Sequence, residues 1–352
     1  GPTGAIAAAA TTSLPEHLGG SRNWDYRFCW PRDASLAAAA LVRLGNTGHA
    51  LKFLDWLLAV VDACESPDRL RPIYTLTGRG LPPEAEISHL SGFGESRPVL
   101  VSNAAANQVQ LDVFGPIVDL VAMLAERGAP VSPDHWRLVR AMVQAVEARW
   151  REPDHGIWEI RADRRHHVHS KAMCWLAVHR ALQVQEVVLG RREPAWVRLA
   201  QEIREDVLNN GWNERVGAFT AAYGSETLDA AALWVGLSGL IPPEDPRWVS
   251  TVEAVERGLR RGAAVYRYLE PDGLPGQEGG MVICAGWLAQ ALASVGRGDE
   301  ARALLDQLVA QMGPTGTMAE QFCPRHRIAL GNIPQAYSHL AVINAVLAVG
   351  GS

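Results

Sequence analysis

Apolar residues recur at three- and four-residue intervals along almost the whole chain, and strict apolar–polar alternation is scarce. The pattern predicts helices over 34–44, 47–63, 104–127, 133–150, 169–188, 194–210, 228–240, 246–260, 279–295, 299–312 and 336–349. Their ends are marked. Gly45-Asn46, Gly128, Gly190 and Gly296 stand just past apolar stripes, where a left-handed cap ends a helix. Pro133, Pro194 and Pro246 stand where the next helix begins, a position that needs no amide hydrogen. The connections then alternate strictly: short at 45–46, 128–132, 189–193, 241–245 and 296–298, long at 64–103, 151–168, 211–227, 261–278 and 313–335. A short link folds two helices into an antiparallel hairpin, so alternation puts every long loop at one end. The stretch 1–33 acts as a sixth long loop, and helix 336–349 lacks a hairpin partner. One further helix before residue 1 would complete six hairpins, the count of a closed (α/α)6 barrel. The expected fold is therefore an all-α (α/α)6 barrel, one domain over 1–352, with long loops on one face. The first helix and any preceding domain are expected to be missing. The opening Gly1-Pro2-Thr3-Gly4 lacks a Met and reads as a tag scar or the interior of a longer protein.

Composition removes classes rather than adding one. A net charge of −5 gives no electrostatic reason to bind nucleic acid or an anionic membrane, and no segment is a signal peptide or an uninterrupted apolar span. Five scattered cysteines with no C-x-x-C pair argue against a disulfide framework and favour a reducing, cytoplasmic compartment.

The long loops concentrate carboxylates, arginines and aromatics. They include Trp24-Asp25-Tyr26-Arg27-Phe28-Cys29-Trp30-Pro31-Arg32-Asp33, Gly156-Ile157-Trp158-Glu159, Trp212-Asn213-Glu214, Arg267 with Tyr268, and Met318-Ala319-Glu320-Gln321-Phe322. Aromatic faces with Asp, Glu and Arg forks suit an uncharged polyhydroxylated ligand. Two carboxylates across a pocket are the minimum equipment for glycoside hydrolysis. Against this, most tryptophans fill cores and most loop glutamates are solvated charges. Phosphate-loop, dinucleotide, zinc-protease and nucleophile-elbow motifs are all missing. His166-His167-x-His169 reads as a polar loop rather than a metal site, and Cys29 and Cys174 as inert buried thiols despite Lys171 one turn before Cys174.

These residues resemble glycoside hydrolase family 15, the glucoamylases and bacterial trehalase-like enzymes. The resemblance runs through nearly the whole chain: from the Trp24 to Asp33 motif through Asn103-Ala104-Ala105-Ala106-Asn107-Gln108-Val109-Gln110-Leu111-Asp112, His169-Ser170-Lys171 and Glu320-Gln321 to Gly331-Asn332-Ile333-Pro334. It implies the same barrel, with Glu159 as general acid and Glu320 as general base. Arg32 and Asp33 would grip the non-reducing glucose, Tyr26 would lie near the reacting centre, and Arg267 would contact sugar. Trp30, Trp158 and Tyr337 would form aromatic walls. Asp33 as a plain helix N-cap and Trp30 as plain core are the structural alternatives. Glu278 is explained equally by the dipole of the helix predicted to follow it and is left out of the catalytic set. Pro31 and Cys323 depart from the family pattern, which usually has Leu and often Asp there.

The expected function is an inverting, exo-acting α-glucoside hydrolase releasing β-glucose from trehalose, isomaltose or short α-glucans. No cofactor or metal is called for by the acid–base step, and the substrate is a small carbohydrate. An N-terminal domain or a second copy of the chain remains open as a partner. The rival is an inactive sugar-binding or regulatory domain of the same fold, which would have no need of an acid–base pair. A biosynthetic enzyme acting on an unusual glycoside is a third reading.

Overall fold

In the computed structural model, which describes residues 2–351, eleven α-helices form two concentric layers. They are α1 (Pro31–Arg43), α2 (Thr47–Asp62), α3 (Phe114–Glu126), α4 (Pro133–Arg149), α5 (Val168–Leu189) and α6 (Pro194–Asn210). Then come α7 (Trp234–Leu237), α8 (Pro246–Leu259), α9 (Val282–Ser294), α10 (Gly298–Val309) and α11 (Ala336–Gly350). The odd-numbered helices close a ring: α1 packs on α3, α3 on α5, α5 on α7, α7 on α9, α9 on α11 and α11 back on α1. Inner helices are buried nearly all round; in α9, Val282 to Ala289 form an unbroken buried run. Outer helices bury one stripe only, as in α6, where Leu199, Ala200, Ile203 and Val207 face inward. The link lengths thus had the right physical consequence, and the (α/α)6 barrel is the observed fold.

Two predicted helices are shorter than their apolar runs. Residues 104–127 contain a 3-10 turn (Ala104–Asn107) capped by the Asn103 side chain, then extended backbone at Gln108 and Gln110, and α3 starts only at Phe114. Residues 228–240 form a 3-10 turn (Ala230–Leu233) capped by Asp229, followed by the single turn of α7. A Cβ at Gly236 would come within 2.3 Å of the Trp248 ring, so the chain lies flat against α8 there. In both cases the departure from helix places polar side chains at the loop face.

Among the described residues the outer layer holds five helices. Along α11 an apolar groove is lined by Ile6, Ala37, Ala40, Leu41, Leu340 and Ile343, and Val346 and Leu347 are exposed. No helix among the described residues is long and apolar enough to cross a membrane.

Candidate active site

The long loops converge over the mouth of the inner ring and line a pocket there. Tyr26, Trp30, Arg32, Asp33, Trp158, Glu159, Arg267, Glu320 and Tyr337 all line it. These are the nine residues singled out from sequence, brought together from four loops and two helices.

Pro31 is the first residue of α1, and this fixes the local geometry. Trp30, not Asp33, is the N-cap residue, and it makes no side-chain cap. Asp33 sits in the first turn with its carboxylate on Arg32 Nε at 2.8 Å, so the capping alternative fails. Arg32 also donates to the Tyr337 hydroxyl (3.0 Å), Gln110 (2.8 Å) and Asp112 (3.2 Å). The guanidinium is therefore held from α11 and from the strand-like stretch before α3. Trp30 is not plain core either: its Nε1 donates to Glu159 Oε1 at 2.8 Å.

Glu159 hangs from a loop whose backbone is left-handed at Glu159 itself (φ 59°), an uncommon state for a glutamate. The loop is tied down by Asp154, whose carboxylate accepts from the Leu111 amide and the Ser170 hydroxyl. Gln110 adds a second hydrogen bond to Glu159 Oε1 at 3.0 Å, and Gln108 holds the Glu159 carbonyl. Burial raises the Glu159 carboxyl above its ordinary range, against the opposing pull of Arg32, Gln110 and Trp30. A carboxyl whose pKa is raised in this way is better suited to donate a proton.

Glu320 is positioned by a three-stranded sheet of Gly280–Met281, Gln321–Cys323 and Ile328–Leu330, in which Met281 pairs with Gln321 and Gln321 with Leu330. The Val282 amide donates to the Glu320 carbonyl, which locks this loop to the start of α9. Oε1 accepts from the Tyr26 hydroxyl at 2.8 Å, while Oε2 has no protein partner. Gly331 (φ 75°) packs behind it; a Cβ there would come 2.6 Å from Oε2. Burial pushes Glu320 up to about 7, opposed by Tyr26 and Arg267. Between the two carboxylates stand the rings of Tyr26 and Trp30, packed edge to face at 5.5 Å, each hydrogen-bonded to one of them.

A second chamber opens beside the first and shares Tyr26, Trp158, Glu159 and Arg267 with it. Its remaining walls include Glu16, Trp24, Arg161, Tyr268, Asp272 and Leu274. Arg22 stitches the loop carrying these last residues to the N-terminal loop, pairing with Asp272, Glu278 and the Leu274 and Pro275 carbonyls. Burial would raise Asp272, but the Arg22, Leu274 and Tyr268 hydrogen bonds outweigh it and hold the carboxyl at about 2. Arg267 pairs with Glu278 and lies over the faces of Trp158 (5.6 Å) and Tyr268 (5.0 Å). Glu278 stands four residues before α9 begins, so the helix dipole does not account for it; its partners are Arg22 and Arg267. Trp158, held by Asp229 through Nε1, forms the wall common to both chambers.

The remaining candidates take structural places. Lys171 spends its ammonium on the Trp150 and Glu152 carbonyls just past α4, and burial pushes the Cys174 thiol up to about 12. Cys29 is pushed up to about 12 in the same way. His166 stacks on Tyr223, while His169 packs among Asp112, Trp234 and Trp287. Pro31 contributes the helix start, and Cys323 ends the strand that follows Glu320. Sequence reasoning passed over Glu16, Arg22, Gln110, Asp112, Asp229 and Asp272. Gln110 and Asp112 lie within the motif stretch before α3, where an extended loop mistaken for helix hid their direction.

Two carboxylates lining one polar pocket, with a second pocket beside it that shares Glu159, are the arrangement expected of a glycoside hydrolase. The sequence matches the profile of glycosyl hydrolases family 15 over residues 1–347, and the chain belongs to that family. It is 41% identical to a trehalase of Mycobacterium tuberculosis over 99% of this chain and 52% of that protein. It thus spans about half the length of the curated relatives it matches most strongly. Among solved structures, a wild-type glycosidase superposes with a TM-score of 0.76 at 21% identity, covering 99% of this chain and 92% of the other. A family 15 glucoamylase from Hypocrea jecorina superposes at 0.75 with 14% identity, covering 99% and 67%.

Proposed function

We propose that this chain is the catalytic domain of an inverting α-glucoside hydrolase whose substrate is trehalose. The observation that carries the reading is the pair Glu159 and Glu320, the first half-buried and the second buried, each with a raised carboxyl pKa, and separated by the Tyr26–Trp30 edge-to-face contact. The terminal glucose lies in the inner chamber, against Arg32, Asp33 and Tyr337. Protonated Glu159 gives its proton to the glycosidic oxygen as the C1–O bond breaks. Ionised Glu320 takes a proton from the water that attacks C1 from the opposite face. Trehalose is preferred over isomaltose and longer α-glucans because the relatives at 34–41% identity are trehalases, whereas an isomaltose glucohydrolase is matched at 25%. A sixth outer helix, supplied from outside these residues, would lie in the apolar groove along α11.

A sugar-binding domain without turnover has no use for two carboxyls that are both raised, which favours the enzyme. Glucose release from trehalose, isomaltose, maltose and starch by the full-length protein tests the substrate. Glu159→Gln and Glu320→Gln should each lower kcat by at least about 10²–10⁴-fold with unchanged melting. A variant that keeps a tenth of the rate would remove that residue from its role.

A further inference from the structure

Glu16 belongs to the loop before α1 and is 2% exposed, yet it lines the outer chamber. Its Oε1 accepts from Trp24 Nε1 at 3.0 Å, and its backbone amide donates to the Arg22 carbonyl, so the side chain is fixed. Oε2 has no hydrogen-bond partner. The nearby guanidiniums do not supply one. Arg22 is spent on Asp272, Glu278 and two carbonyls, and Arg267 gives Nη2 to Glu278 while its own Nε is buried and unpartnered. Two polar atoms, Glu16 Oε2 and Arg267 Nε, therefore remain unmet on residues that share one chamber. Native interiors avoid such atoms unless a ligand completes them.

We propose that Glu16 recognises the leaving sugar: its free Oε2 hydrogen-bonds a hydroxyl of the ring held in the outer chamber. The chain would then favour a sugar over an alcohol of the same size as leaving group. This rests on the hydrolytic reading above and adds the residue that selects the second ring. Burial, with Glu320 and Glu278 nearby, raises the Glu16 carboxyl against the pull of Arg267 and Arg22, which favours its neutral form. A neutral O–H donates to a hydroxyl oxygen and adds no negative charge beside Glu320.

The test compares two substrates that differ only in the leaving ring: trehalose, whose leaving ring carries hydroxyls, and cyclohexyl α-glucoside, whose ring carries none. In full-length protein, Glu16→Leu should lower the ratio of kcat/KM for trehalose over the cyclohexyl glucoside by about ten- to a hundredfold, chiefly through KM. Glu16→Gln keeps an acceptor for Trp24 and a donor for the sugar, and should restore most of the ratio. If Glu16→Leu lowers both substrates alike, Glu16 only props Trp24 and the proposal falls. A wild-type ratio near one overturns it without any variant. If the wild type cleaves neither compound, the hydrolytic reading itself fails and takes this inference with it.

Discussion

Replacing Tyr26 by Phe removes one hydroxyl and, with it, the one protein donor on Glu320 Oε1 that comes from the opposite wall of the chamber. The hydrogen bond is 2.8 Å long and Glu320 is buried, so solvent does not replace it at full strength. Hydrogen bonds to charged groups are worth about 1.5–3 kcal/mol, and 1.36 kcal/mol corresponds to one pH unit. Tyr26 stabilises the ionised form of Glu320, so its loss must raise the carboxyl further. The base works only when ionised. The acid limb of kcat/KM, placed near 7 by the burial of Glu320, should therefore move up by about 1–2 pH units in Tyr26→Phe. At pH 6 the variant should be about ten- to a hundredfold slower, and the deficit should shrink as the pH rises. The assay is glucose release from trehalose across a pH series. An unmoved limb, or one displaced to lower pH, would refute the assignment of Tyr26 as the group that keeps Glu320 ionised.

Gly331→Ala should cost at least about 1 kcal/mol in stability, because the residue is left-handed and its Cβ would meet Glu320. It should also depress kcat, and a fully active variant with normal melting would show that Glu320 is not seated against Gly331. Burial, with Asp112 nearby, raises Asp154 to about 7, so the folded chain holds this proton where the unfolded chain, near 3.9, has lost it. That stabilising contribution is complete below the unfolded value and lost as pH rises through 7. Relative to wild type, Asp154→Asn should accordingly gain melting temperature between about pH 5 and pH 8; a gap that does not vary with pH counts against the buried, protonated Asp154.

Much of this architecture was legible because link length has a direct physical consequence. Gly45, Gly128 and Gly296 all adopt positive φ at the ends of hairpin helices, and Pro133, Pro194 and Pro246 open the next ones. The misread stretch 104–127 shows where pattern fails. Ala104-Ala105-Ala106 favours helix, but Asn103 caps a 3-10 turn and the chain then straightens to aim Gln110 at Glu159 and Arg32. Pro116, in the first turn of α3, was the local sign that the helix starts late. Glu16 had no such sign. Its meaning comes from Trp24 eight residues away and from Arg267 and Glu278, which only the closed barrel brings near.

The central claim is that water adds to C1 opposite the bond that breaks, with Glu320 as base rather than nucleophile. Trehalose makes the test sharp, because both of its anomeric carbons are α. The leaving glucose departs with its own C1–O bond intact and must appear as the α anomer. Inversion converts only the other ring, so proton NMR of the anomeric region within the first minutes should show one β-glucose for every α-glucose. A first-formed product that is α-glucose alone would mean retention by double displacement, and would contradict the role of Glu320 as general base.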